Sequence, residues 1–434
     1  MKKAIQIIIL LLYTLFSFAG KAQRINPKID SLIHLLTTES YRSHFDSLRT
    51  DTNCSRKVIK QKLQSADHDA CRDYIYRHFQ YYLGRENTYL HRFETGKYQG
   101  LANIIGFKKG LQTEAGIWVI GAHYDSNNTF EQSSSPQTIS PGANDNATGV
   151  AALLELARIV AGLETKASII FAAWDFEEVF TNGKATGSST WFGEYVTKKK
   201  PTDWANIGNR GTIKHTNLVA NINFDMFGNP QQEEDGKPLL WACYATSNDI
   251  DFVEYYATIL NTYVPEIKTK THGKLIYSDH YTFSSQKIKS VENLESNYLN
   301  DPFYHTYSDN LQNPDNIDMS FAASVARGGL AFLLENVFFN IPKRTVTILN
   351  ETKIKWIEHP EEYIIPIPEG TIGSVKIIDC YGNLKNGKQH DTFVSFSPSF
   401  NGLYTIIINK RKLQISGTVN LKQKERPVTN EPFQ

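Results

Sequence analysis

Three apolar runs in this chain of 434 residues end in side chains with the chemistry of metal ligands. Residues 117–122 lead into His123-Tyr124-Asp125, an imidazole with a carboxylate two positions on, which suits a carboxylate–histidine–metal arrangement. Residues 168–173 lead into Asp175-Phe176-Glu177-Glu178, and 218–223 lead into Asp225. Adjacent glutamates buried without a cation would repel one another and each would lose its hydration, so the pair points to a metal. Two further motifs join these: Pro141-Gly142-Ala143-Asn144-Asp145-Asn146 just before a helical stretch, and Tyr304-His305-Thr306 with Asp309 beyond it. Singly, each has a bland reading: a strand-end histidine bonded at the surface, an aspartate capping a helix, glutamates in solvent. Together, His123, Asp145, Glu178, Asp225 and His305 supply five nitrogen and oxygen ligands and no cysteine, the inventory for two closely spaced zinc-like ions. Asp145 can bridge, which leaves one histidine and one carboxylate for each ion.

Such ligands need a scaffold that gathers strand ends. Runs 101–107, 117–122, 168–173 and 218–223 read as buried strands, and Val150, Leu153, Leu154 and Ala157 mark one face of a helix between the second and the third. Ile29, Leu32, Ile33 and Leu36 open a helical lead-in that continues over 71–82, and a last helix spans 319–338. This alternation predicts an α/β fold: a mixed, mostly parallel central sheet with helices on both faces, whose ligands collect at the carboxyl ends of the strands. After Pro342 the character changes. Segments 345–348, 363–367, 374–379, 392–396, 403–409 and 413–419 are short and β-rich, with Gly, Pro and Asn turns between them, and predict a small all-β sandwich over 342–422. Residues 423–434 read as a frayed polar tail.

Lysine plus arginine number 46 against 45 acidic residues, so no global basic field holds nucleic acid or anionic lipid. The first residues, Met1-Lys2-Lys3, an apolar run to about Phe18 and then Ala19, Gly20 and Ala22, form a tripartite signal-peptide pattern removed at about residue 22. Its apolar run falls short of the roughly 20 residues that span a bilayer, and no later stretch spans one. The mature chain is therefore expected to be secreted, periplasmic or at the cell surface, with a main domain over 23–341. Export permits disulfides, and Cys54 and Cys71 are close enough in sequence to close a short loop, whereas Cys243 and Cys380 read as buried thiols.

These motifs, in this order, resemble the co-catalytic di-zinc aminopeptidases of the bacterial leucine aminopeptidase type, whose relatives include glutamate carboxypeptidases and glutaminyl cyclases. The likeness runs from about Ile29 to Phe338. It implies a zinc-exopeptidase fold with two Zn2+ ions, His123 and Asp225 on one, Glu178 and His305 on the other, and Asp145 on both. It also implies Glu177 as general base, Asp125 orienting His123, and Tyr304 in the place of an oxyanion-stabilising tyrosine or a packing residue. Ser278-Asp279-His280 matches a family element for which a structural role is expected. Two departures stand out: the stretch 179–186 between the paired glutamates and Gly187-Ser188 is longer than in the peptidases, and Asn144 replaces an aspartate that many members carry.

The function expected is that of a secreted zinc exopeptidase, an aminopeptidase acting on peptide substrates. Two cations lower the pKa of a shared water, Glu177 takes its proton, and the neighbouring Glu178 stays fixed as a ligand. A glutaminyl cyclase on the same scaffold and an inactive binding protein are the competing readings. The stretch 375–382 with Asn401-Gly402-Leu403-Tyr404 resembles a C-terminal sorting domain of the type IX secretion system, which would make the secretion machinery a partner; an accessory sandwich beside the site is the alternative.

Overall fold

The computed structural model describes residues 25–48, 55–56, 65–127, 140–179, 186–200, 213–296, 298–313 and 315–338, and seven strand segments beyond. The lead-in is two helices, α1 (Pro27–Ile33) and α2 (Thr38–Phe45), followed by α3 (Ala66–Leu83). Thr37 divides the first two: its hydroxyl accepts from Ser40 N and its own N–H donates to Ser40 Oγ, a capping box that starts α2 afresh. Then come β1 (Thr88–Thr95), β2 (Tyr98–Lys108), β3 (Ile117–His123), α4 (Thr148–Ala161), β4 (Ser168–Trp174), α5 (Gly187–Trp191) and β5 (Leu218–Phe224). The unit closes with β6 (Leu239–Cys243), α6 (Ile250–Tyr263), β7 (Lys268–His272), α7 (His280–Ser284), β8 (Lys289–Glu295) and α8 (Met319–Val337).

The strands form one eight-stranded sheet in the order β1-β2-β4-β3-β5-β8-β6-β7. Pairs β3–β4, β3–β5, β5–β8 and β6–β7 are parallel, and β1–β2, β2–β4 and β6–β8 are antiparallel. The central strands β4, β3, β5 and β8 therefore point one way and deliver their carboxyl ends to one edge, as the α/β reading requires. Alternation along β3 sends Trp118, Ile120 and Ala122 to a core shared with α3, α4 and α8, and Val119 to a second core with Trp174, Trp191 and Phe283. Both faces are thus covered, and each buried aliphatic or aromatic side chain contributes about 1.5–3 kcal/mol. Gly121 is required in β3, because a Cβ there would lie 2.5 Å from Trp174 Nε1 and 2.8 Å from Asn223 Oδ1.

All four expected strands of the main unit are present, and β1, β6, β7 and β8 extend the sheet beyond them. Beyond Phe338 the strands are β9 (Tyr363–Pro366), β10 (Val375–Asp379), β11 (Leu384–Lys385), β12 (Lys388–Gln389), β13 (Phe393–Phe396), β14 (Gly402–Lys410) and β15 (Leu413–Leu421). They pair antiparallel in the orders β11-β10-β14-β15 and β12-β13-β9. The expected strand at 345–348, the signal segment 1–22, the tail 423–434, Cys54 and Cys380 lie outside the described residues. Cys71 and Cys243 are both buried. Among the described residues no helix is long and apolar enough to cross a membrane.

Candidate functional site

The parallel strands of the sheet's centre bring the sequence motifs to one cavity. His123 is the last residue of β3, Asp225 follows β5 directly, and the Asp175–Glu178 turn follows β4. Asp145 lies in an irregular turn, 143–147, ahead of α4. It does not cap that helix. Asn146 takes the local bonds instead: its Oδ1 accepts from Gly149 N (2.9 Å) and Met226 N (3.2 Å), and its Nδ2 donates to Phe224 O (2.8 Å). The carboxylate of Asp145 is thereby left to face the cavity, and a cis peptide joins it to Asn146.

The five expected ligands converge around that carboxylate. Asp145 Oδ1 is 3.2 Å from His123 Nε2, which also stands 3.1 Å from Asp225 Oδ1. Asp145 Oδ2 is 3.1 Å from His305 Nε2, which stands 3.0 Å from Glu178 Oε2. One carboxylate thus shares each of its oxygens with a different histidine–carboxylate pair. Ligand atoms of His123, Asp145 and Glu178 all lie within 4.8 Å of one another, close enough for a single ion.

The paired glutamates are held by Asp125, whose Oδ1 and Oδ2 accept from Glu177 N (3.2 Å) and Glu178 N (3.1 Å). His123 Nδ1 is 3.2 Å from the Asp125 carbonyl oxygen and 3.6 Å from its carboxylate, so the main chain of Asp125 makes the closer approach to the ring. Phe176, one residue ahead, has φ +67°, a conformation rare for a bulky side chain; its ring is fully buried edge-on to Tyr98. His305 is a second such residue, at φ +54°. Tyr304 packs its ring 3.9 Å from that of His305 and lines the cavity. Of Ser278-Asp279-His280, Ser278 lines the cavity, while His280 turns to Glu292, its Nδ1 2.7 Å from Glu292 Oε2.

The cavity measures about 270 Å3. It is lined by an acidic wall of Asp145, Glu177, Glu178 and Asp225 with the two histidines and by an apolar wall of Met226, Leu275, Leu294 and Tyr298, which pack in one cluster, together with the exposed Tyr277 and Leu299. Met226 and Tyr277 adjoin the Asp225 and Ser278-Asp279-His280 motifs, but nothing in the sequence announced that they join Leu275, Leu294 and Tyr298 in an apolar wall. The charge state shows what the acidic wall demands. Burial raises Glu177 well above the usual carboxylate range, with Glu178, Asp225 and Asp279 adding to the rise against His123. Glu178 is pushed up to about 8 by burial and the charge of Asp145. His305 is raised to about 11 because Glu178 and Asp145 outweigh its burial, and His123 is raised for the same reason by Asp225, Asp125 and Asp145. Asp145 is lowered despite burial by its bonds to both histidines. Without cations, protons must carry the positive charge that four crowded carboxylates demand. Nitrogen and oxygen donors crowded around a doubly shared carboxylate fit a pair of zinc ions, which would meet that demand.

Residues 103–328 match the model described as Peptidase family M28. A probable zinc metalloprotease of Pyrenophora teres f. teres is 34% identical over 137 residues, 31% of this chain and 24% of that protein. The chain therefore spans about a quarter of the length of that curated relative. Among solved structures, the LapA aminopeptidase of Legionella pneumophila superposes with a TM-score of 0.54 at 18% identity, covering 74% of this chain and 78% of that one. The glutaminyl cyclase of Porphyromonas gingivalis gives 0.52 at 18% identity, covering 69% of this chain and 98% of that one. At these identities the two structures share the fold.

Proposed function

The chain belongs to peptidase family M28, and from that premise we propose that it is a zinc-dependent aminopeptidase that removes N-terminal residues from peptides. The observation that carries the reading is the division of Asp145 between two histidine–carboxylate pairs. His123 and Asp225 would hold one zinc, Glu178 and His305 the other, and Asp145 both. Bound there, zinc supplies a Lewis acid for the scissile carbonyl and lowers the pKa of water.

The remaining steps belong to side chains of this chain. Glu177 lines the cavity beside the ligands with its main-chain N–H fixed on Asp125. It accepts the proton of the attacking water and returns it to the leaving nitrogen as the C–N bond breaks. Tyr304, raised above the usual phenol range by burial and the surrounding carboxylates, stays protonated and can donate to the oxygen on which negative charge develops. Among the described residues no lysine or arginine lines the cavity, and its acidic wall suits a free α-amine. The apolar wall then receives the first side chain of the peptide.

The test is a panel of aminoacyl substrates with free and with blocked N-termini. Cleavage of the free forms only, abolished by a chelator and restored by zinc, supports the reading; cleavage of blocked forms alone overturns it, and release of a cyclised N-terminal glutamine product assigns the chain to the cyclases. The tripartite segment 1–22 supports export, and the antiparallel strands after Phe338 support a β-sandwich over 342–422, whose resemblance to a sorting domain would make the secretion machinery a partner.

A further inference from the structure

Asn144, where the chain departs from the family pattern, stands at the junction of the segments that carry the ligands. Its Nδ2 donates to Glu295 Oε2 (2.8 Å) and to Asp301 Oδ2 (3.2 Å), and its Oδ1 accepts from Gly228 N (2.7 Å). Its main-chain N donates to Asp309 Oδ1 (2.6 Å), and the next N–H, that of Asp145, donates to Asp309 Oδ2 (3.0 Å). Gly228 N–H can only donate, so the amide oxygen faces it and both amide hydrogens face the carboxylates. Each partner is tied to a ligand. Gly228 follows Asp225 in the turn after β5, Asp301 and Asp309 flank His305, and Glu295, at the end of β8, also accepts from Asn229 N (2.8 Å). Asn144 and Glu295 are buried, so a broken bond here is not replaced by one to bulk water. An aspartate at 144 would meet two carboxylates and offer neither of them a hydrogen.

We infer that Asn144 is the positioning residue of the metal centre, its amide locking the segments that bear Asp145, Asp225 and His305 into one arrangement. It touches neither substrate nor metal and acts through those ligands. The inference rests on the two-zinc reading.

Metal-free wild-type and Asn144→Asp proteins are titrated with zinc against a competing chelator, and visible spectra are recorded for the cobalt(II)-loaded forms. Wild type is expected to bind two zinc ions, and the variant to lose roughly 10- to 100-fold in affinity for at least one of them, with a shifted cobalt spectrum. The double variant Asn144→Asp/Glu295→Gln, in which amide and carboxylate exchange places, is expected to recover both. Asp301→Ala, which removes one acceptor, serves as a second probe and is expected to weaken zinc binding in the same sense should Asn144→Asp fail to fold. A merely structural role would lower thermal stability and leave the zinc affinity and cobalt spectrum of the folded protein as in wild type. That result, or no recovery in the double variant, overturns the inference while the two-zinc reading stands. Wild-type protein that binds no zinc overturns both.

Discussion

Asp145 and His305 meet at 3.1 Å, Oδ2 to Nε2, while the other oxygen of the same carboxylate stands 3.2 Å from His123 Nε2. A carboxylate shared in this way cannot be lost from one half of the site alone. Asp145→Ala is therefore expected to abolish binding of both zinc ions, whereas Glu178→Ala and Asp225→Ala each release one preferentially. Metal analysis after dialysis checks this; retention of two ions in the Asp145 variant would count against a shared ligand.

Glu178 stands 3.0 Å from His305 Nε2, whereas the charge of His123 acts on Glu177 without an ion pair among the described residues. Glu177→Gln preserves shape and removes the proton acceptor, so hydrolysis is expected to fall by about 10²–10⁴-fold with the zinc content unchanged. Steady-state kinetics and metal analysis on one preparation separate the two effects.

The wall of Met226, Leu275, Leu294 and Tyr298 sets the expected side-chain preference. Substrates that begin with leucine, methionine or phenylalanine should exceed those that begin with aspartate or lysine in kcat/KM. Each methylene group that the pocket buries changes the barrier by about 1–3 kcal/mol. Equal rates across the series would show that this wall does not receive the substrate.

Much of this site was legible before the fold. His123, Asp145, Glu178, Asp225 and His305 stand beside apolar runs or in short motifs, and an apolar run ending in a ligand is visible as periodicity. Strands without that signal were missed. β7 reads Lys-Thr-Lys-Thr-His and lies at the sheet edge, where polar residues are tolerated, and β8 buries Glu292, Asn293 and Glu295, which in sequence look like solvent-facing residues. Burial of such groups is decided by partners such as Asn144 for Glu295, far away in the chain, and His280 for Glu292, beyond an intervening turn, and neither pairing shows as periodicity. The division of the lead-in at Thr37 was legible in kind, since a threonine three residues before a serine can form a capping box, but helical periodicity ran through it.

A buried pair beneath the glutamate turn predicts a pH effect on stability. His68 Nε2 lies 3.0 Å from Asp175 Oδ1, with both side chains fully buried, and Asp175 Oδ2 accepts from Tyr124 OH and Ala102 N. Burial opposes the charged ring, but the charge and hydrogen bond of Asp175 outweigh it and lift His68 to about 9. An unfolded histidine titrates near about 6.5, so the pair contributes its full stabilisation below about pH 6.5 and loses it as pH rises through about 9. His68→Gln is expected to cost about 3 kcal/mol at about pH 6 and to flatten the pH dependence above it. Urea denaturation across this range measures both.

Gly142 holds the turn that presents Asp145. It sits at φ +64°, and a Cβ there would lie 2.5 Å from Ser126 Cβ and closer still to the Asp145 carbonyl. Gly142→Ala is expected to lower stability by about 1–3 kcal/mol and to weaken zinc binding along with it. Thermal unfolding of the metal-free protein, compared with zinc titration, reads each loss.

The most direct measurement is anomalous diffraction at the zinc edge from crystals of the zinc-loaded protein. The account predicts two zinc peaks, one against each carboxylate oxygen of Asp145, the first completed by His123 and Asp225 and the second by Glu178 and His305. A single peak, or peaks that leave either oxygen of Asp145 without a metal, would contradict it.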